Sequence, residues 1–426
     1  MPVQLVQHIE ALDWGGETVR IGDLDGDGAP DLLVAQSVYG SRVIESLTAL
    51  TVAGQRLWQW GRPSAANGQC YSDLPVQVYD WDGDGANEVL FVEQAVYAEP
   101  IEYGELRIRE RAKRYEGDAW MVVLEAASGR EKSRFPIPAP ADDSFLFADL
   151  TGRGRRQDLV VKDRYWNMWG VAFAGEVLWH WAGSVGHYPA IADVDGDGCD
   201  EVFVGCALLD HDGREVFSRD PGGSHQDAAH LAQLPDGEWR LLFGNGGLHC
   251  LDLDGREVWR QPLREVQHVV AGRYRPDSPL QVAVIDRGHP RTPEGKPATL
   301  HLYDLEDGRQ YWQRLQPPGG WVAAALDIRW TGKPDLKEIL VYERVAGQPM
   351  AIYDGWGEML DTLEVPPEIC GVYHGNPGIH IAYRADVWGD SREEVLVAGW
   401  KGLRICTNRR PLAIPTLYNN TLYHGM

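Results

Sequence analysis

The sequence predicts an all-β chain folded as an eight-bladed β-propeller, with seven blades plus a decorated insertion as the alternative count. Three observations carry this. An acidic, glycine-rich nonapeptide recurs, each copy running straight into a short apolar strand: DLDGDGAPD from Asp23, DWDGDGANE from Asp80 and DVDGDGCDE from Asp193. A second motif alternates with it, an apolar strand, a Gly turn and a strand bearing an aromatic. The third is spacing: the units are roughly 50 residues apart, too far for successive hairpins and suited to one blade each.

Taken in order, units one and two begin at Asp23 and Asp80. Unit three begins at Asp149, where ADLTGRGRRQDLVV keeps the strand and loses the central carboxylates. Unit four begins at Asp193, and units five (HLAQLPDGEWRLLFG) and six (VVAGRYRPDSPLQVAVI) retain only the shape. Unit seven is AALDIRWTGKPDLKEILVY and unit eight ADVWGDSREEVLVAGWKGLRICTN. The alternating hairpins run through residues 50–60, 124–135, 173–181, 209–217, 251–259, 303–312 and 353–360. Each has a tight Gly turn and an aromatic placed to lock neighbouring blades. Trp58, Trp60, Trp179, Trp181, Trp259 and Trp312 sit in these hairpins and are expected in the packing between blades. The first strand of the chain is expected to pair with the last blade, removing an open sheet edge. One propeller domain then accounts for residues 1–426, with very little helix, since no long 3.6-residue periodicity appears.

Composition narrows the function. The formal charge of −23 and the lack of a basic patch exclude a nucleic-acid partner and an anionic membrane surface. No segment reaches the ~20 apolar residues of a membrane helix. The start shows neither a basic nor an apolar leader region, so the expected location is cytoplasmic if the start is native and secreted if an export signal has been removed. The six Cys show no metal-type spacing and read as buried thiols. A monomer is expected.

The nonapeptides point to calcium. Alternate carboxylates separated by glycine aim several hard oxygens at one spot, and the strand that follows each copy excludes the helical calcium hand. The candidate ligands are Asp23, Asp25, Asp27 and Asp31; Asp80, Asp82, Asp84 and Glu88; and Asp193, Asp195, Asp197 and Glu201. Such ions staple blades without touching substrate. Three His-bearing loops, residues 186–189, 223–230 and 373–380, each precede an innermost strand and so are expected at one end of the channel. Loops from different blades converging there are where a grafted site belongs.

GHYPAIADVDGDGCDEVFVG, GSHQDAAHLAQL, RADVWGDSREEVLVAGWKGLRICTN and the closing RRPLAIPTLYNN resemble the rhamnogalacturonan lyases of polysaccharide lyase family eleven, whose eight-bladed propellers carry calcium in integrin-type (FG-GAP) repeats. The resemblance covers units one, two, four, five and eight. It implies β-elimination between galacturonate and rhamnose on an acidic poly- or oligosaccharide. His187 and His225 are then the candidate catalytic or substrate-clamping imidazoles, and Asp227 a ligand to a central calcium. Tyr188, His268, His374, Asn376, Arg384 and Trp388 are the candidate substrate-binding residues, Trp388 by stacking. The chain departs from the family where Gln267-His268 and Asn376-Pro377-Gly378 replace basic residues and where Asn245 replaces an acid, and the family's N-terminal β-domain is not expected within residues 1–426. A calcium-dependent binding propeller without catalysis and a glycoside hydrolase are the alternatives on the same scaffold.

Overall fold

The structure, a computed structural model, describes residues 3–410 apart from 12, 40, 69–72, 95–116, 142, 144, 164–165, 220–225, 245, 288–296, 317–322, 344–348, 371, 374–375 and 378–379. The described residues form eight four-stranded antiparallel sheets, one two-stranded hairpin and one helical turn at Pro367–Cys370. The count is therefore eight blades. Blade 1 runs outward through Thr18–Gly22, Asp31–Ser37, Ile44–Thr51 and Arg56–Gly61. The innermost strands of blades 2 to 8 are Val76–Tyr79, Leu146–Ala148, Ala190–Ala192, Ala228–Gln233, Val266–Gly272, Ala323–Ile328 and His380–Ala385. Blade 8 takes its outermost strand from the start of the chain. Val3–Glu10 pairs with Gly402–Asn408, Val3 opposite Asn408 and Glu10 opposite Gly402.

Both faces of every blade are covered by neighbours. The second strands therefore read as unbroken apolar runs rather than alternating ones, as in Asp31–Ser37 and Gln281–Asp286, both buried throughout. The core is accordingly a ring of layers between blades. Leu33, Ala35 and Ala49 of blade 1 pack on Val89, Phe91 and Val122 of blade 2. The layer between blades 8 and 1 joins Leu396, Ala398 and Leu403 to Val19, Leu32 and Val34.

The outer hairpins clip each blade to the next. Trp58 lies against Gly129, Trp179 against Gly213 and Trp259 against Gly308, each glycine at positive φ. A Cβ at these glycines would come within 2.5–2.6 Å of the indole, so shape as well as backbone conformation demands glycine. The indole N–H then donates to the next blade: Trp58 to Ala126 O at 2.5 Å, Trp179 to His211 O at 2.8 Å, Trp259 to Leu305 O at 3.0 Å and Trp312 to Gly355 O at 2.9 Å. Indoles held between blades with a satisfied N–H serve packing, Trp58, Trp179 and Trp259 buried and Trp312 half-buried, as the hairpin pattern implies.

Strand direction divides the loops between two ends. Innermost strands begin at one end, here the upper, where second strands also finish. The loops that leave innermost strands, including the acidic nonapeptides, lie at the lower end beside the outer hairpins.

Candidate functional site

At the upper end, the loops leading into blades 3, 4 and 5 bring Asp143, His187 and Asp227 together. Gly186 adopts φ +59°, and a Cβ there would stand 2.7 Å from Gln226 O, so the loop passes close against blade 5. His187 N–H donates to that same carbonyl at 3.1 Å, which fixes where the ring starts. The imidazole Nδ1 is 3.0 Å from Asp143 Oδ2, and Nε2 is 3.7 Å from Asp227 Oδ1. A neutral ring that donates Nδ1–H to Asp143 keeps its lone pair on Nε2, the nitrogen turned towards Asp227.

Asp143 has no solvent exposure and sits at φ 61°, a left-handed conformation unusual for a residue with a Cβ. Strain of that kind persists where surrounding contacts over-determine it. Here Lys162, 2% exposed at the end of the second strand of blade 3, brings its ammonium to 3.4 Å from the Asp143 carboxylate that holds His187. A buried carboxylate needs such a counter-ion to stay charged. Asp143 and Lys162 are absent from the motif-based candidates. The available signal was Lys162 itself, a charge closing the apolar run Leu159–Val161 in the strand DLVVK.

The other candidates divide between the ends. Tyr188 follows His187 and is exposed. His268 lies at the upper end, near the start of blade 6's innermost strand, just past a bulge at Gln267. Gln267 Oε1 accepts from Arg287 at 3.1 Å, and Arg287 also pairs with Glu265, so blade 6 does bring a guanidinium to this end. Asn376 lies on the short strand Asn376–Pro377, paired with Val372–Tyr373 ahead of blade 8. His225 and His374 lie outside the described residues. Arg384 and Trp388 are at the lower end and are not brought to His187. Arg384 braces Asp327 of blade 7 at 2.6 Å and Glu393 at 2.9 Å. Trp388 occupies the slot that Asp25 fills in blade 1's loop.

The three acidic loops share one internal frame. In blade 4, Asp193 accepts from the N–H groups of Gly196 and Gly198, and Glu201 Oε2 accepts from Val194 N–H at 2.8 Å. Asp193, Asp195 and Asp197 each offer an oxygen within 4.8 Å of the others. Glu201 Oε1 is buried with no hydrogen-bond partner, and burial pushes this carboxyl up to about 7. A hard divalent cation fits that orphaned oxygen and charge. Blade 1 repeats the pattern, with Asp23, Asp25 and Asp27 clustered and Asp31 Oδ2 accepting from Leu24 N–H at 3.0 Å.

In blade 2, Asp80, Asp82 and Glu88 likewise offer oxygens within 4.8 Å of one another, and here the chain's own cations share the loop. Lys132, on its outermost strand, reaches into the loop at 2.6 Å from Asp82, 3.3 Å from Asp84 and 2.9 Å from Glu88. Hydrogen bonds to Asp82 and Glu88 raise its pKa. Arg155 of blade 3 meets Asp80 at 2.9 Å, so this loop's charge is answered by the chain's own cations. The degenerate blade 3 loop also sends Arg156 to Asp200 at 2.9 Å. Among the described residues, Asp227 belongs to no three-donor cluster.

Residues 162–240, a segment containing Lys162, His187 and Asp227, match the family described as rhamnogalacturonan lyase family 11, C-terminal domain. The chain is 26% identical over 278 residues to the rhamnogalacturonan endolyase YesW of Bacillus subtilis, across 54% of this chain and 43% of that protein. It is 26% identical over 268 residues to the rhamnogalacturonan exolyase YesX of the same organism, across 52% and 42%. The match thus spans less than half the length of these curated relatives. The crystal structure of YesW shares the fold, with a TM-score of 0.63 at 22% identity, covering 96% of this chain and 76% of that one. Motif, matched segment and propeller agree in their likeness to rhamnogalacturonan lyase family eleven, whose C-terminal domain model matches residues 162–240.

Proposed function

We propose that this protein cleaves an acidic, rhamnose- and uronate-containing glycan of the rhamnogalacturonan type by β-elimination, at the upper end of the propeller around His187. The observation that carries the reading is the imidazole held by buried Asp143 with its second nitrogen turned outward to Asp227, inside the family-matched segment. The C5 proton of a uronate becomes removable only once its carboxylate charge is offset, and a base of matched pKa must then take it as the C4–O bond breaks. His187 Nε2 is the group able to accept that proton or to hold the sugar for its removal. Asp143 fixes the ring's tautomer, and the Lys162 ammonium lies 3.4 Å from the Asp143 carboxylate. Asp227 would help hold a central calcium, which supplies positive charge to the uronate carboxylate when bound. Arg287 is a second cation at the same end.

The test is incubation with rhamnogalacturonan and with other uronate polymers, following the ultraviolet absorbance of the unsaturated uronate product with and without chelator. A rise with rhamnogalacturonan is expected. Hydrolytic ends without that rise would instead identify a hydrolase.

We also propose structural calcium in the loops of blades 1 and 4, with the blade 2 loop stapled by Lys132 and Arg155. Glu201 provides a signed test. Without calcium its folded-state pKa is raised above the ordinary carboxylate value, so its contribution to stability is full below about pH 4 and is lost as pH rises through about 7. In chelator, the melting temperature should fall across that window, and saturating calcium should remove the fall. Glu201→Gln, neutral at every pH, should flatten the chelator profile and shrink the calcium-induced rise. A wild-type melting curve indifferent to calcium at pH 8 would contradict the ion.

A further inference from the structure

We propose that blade 4 carries a second kind of metal site, for a soft divalent ion of the Zn²⁺ type, built from Asp197, Cys199 and His211 at the lower end of the propeller. It is separate from the His187 site and does not depend on the lyase reading. One ligand atom from each residue lies within 4.8 Å of the other two, with His211 Nε2 3.8 Å from Asp197 Oδ2. Tetrahedral zinc, with bonds of about 2.0–2.3 Å, spaces its ligands roughly 3.3–3.8 Å apart, so a small contraction closes the set. Thiolate, imidazole and carboxylate together select zinc-like ions over calcium.

The imidazole is already oriented for the task. His211 Nδ1 lies 3.1 Å from the carbonyl of Leu150 in blade 3, which places the proton on Nδ1 and the lone pair on Nε2, facing the carboxylate. Metal-ligating histidines are held in this way by a second hydrogen bond. The His211 backbone is pinned too: its N–H donates to Asp210 at 2.8 Å and its carbonyl accepts from Trp179. Asp197 serves the acidic loop and the new site at once, since Oδ1 accepts from Cys199 N–H while Oδ2 faces His211. The Asp197 and His211 side chains are 43% and 33% exposed, which leaves a path for the ion and a fourth position for water.

The repeats of this chain supply an independent argument. The position of Cys199 holds alanine in the other two acidic loops, Ala29 and Ala86. The position of His211, two before the hairpin glycine, holds Val52, Phe173 and Leu253 in blades 1, 3 and 5. Both soft ligands thus replace apolar residues in one blade, where the fold sets them side by side. Gly152 of blade 3 leaves room for the thiol, as a Cβ there would lie 3.2 Å from the sulfur.

The experiment uses the full chain, stripped of metal and then held in excess calcium so that hard-cation loops are filled. Zn²⁺ is titrated against a chromophoric chelator, and Co²⁺ is added separately as a spectroscopic probe. One equivalent of Zn²⁺ should bind, and Co²⁺ should show thiolate charge-transfer absorption with the intense visible bands of a four-coordinate site. Cys199→Ala should abolish the charge-transfer band, and both Cys199→Ala and His211→Leu should weaken Zn²⁺ at least about tenfold. These variants install residues that other blades already use at the same positions, so folding should persist and far-ultraviolet circular dichroism checks it. No Zn²⁺ binding in the presence of calcium, equal binding by the variants, or a Co²⁺ spectrum without the thiolate band would each overturn the site.

Discussion

His187→Ala is expected to lower the rate of unsaturated-uronate release from rhamnogalacturonan by about 10²–10⁴-fold, the range for losing a positioned acid–base group. The melting temperature should move little, because the ring is partly exposed and its main partner, Asp143, keeps Lys162. Steady-state kinetics separates the two roles open to the imidazole. A fall in kcat at constant KM marks a group acting in the transition state; a rise in KM at constant kcat marks a substrate clamp. Asp143→Asn is the companion variant. It preserves shape but allows the ring to present the wrong tautomer, so the pH profile should change along with the rate. It also removes the carboxylate charge 3.4 Å from the buried Lys162 ammonium and should cost stability, which makes His187 the cleaner probe. Full turnover by His187→Ala would place the chemistry elsewhere on the propeller.

The ring was legible because its signals are local and repeated. DxDGDG loops and Gly-turn hairpins are written in consecutive residues, so even unit six, stripped of its carboxylates, could be placed by its neighbours. The closing strand was legible for a related reason, as an apolar first strand needs a partner and blade 8 otherwise exposes an edge. The site was harder, because its geometry depends on which end of a strand a loop occupies. His187 precedes an innermost strand, whereas Trp388 follows one, and the intervening strand carries them to opposite ends. Arg384 sits near the far end of the same strand, which puts it against Asp327 and Glu393. Asp143 and Lys162 could not be read from motifs because neither lies in a repeat element with recognisable chemistry. Their meaning comes from burial and from a contact across 44 residues between Asp143 and His187. Lys132 makes the same point for the metal loops. Three nearly identical nonapeptides look equivalent in sequence, and an outer-strand lysine and the arginine of the next blade set one of them apart.

Removing residues 1–10 should have the largest effect on the fold itself. The Val3–Glu10 strand is the fourth strand of blade 8, and without it the Gly402–Asn408 strand becomes an open edge. Ile9 leaves the core layer between blades 8 and 1, and its packing against Gly54 of blade 1 is lost. The bond from Gln7 to Ala53 O goes with it. A ring held by layers between blades needs every layer, so weakening the seam lets blades 8 and 1 part while the other layers stay intact. The truncated chain should melt at least about 10 °C lower, over a broader transition, and associate through the exposed edge, as thermal scans and light scattering would report. Ile9→Ala keeps the backbone pairing and deletes only the side chain, so it should lose about 2–5 kcal/mol without association. Equal behaviour of the truncation and the point variant would mean that side-chain packing, rather than the paired edge, closes the ring.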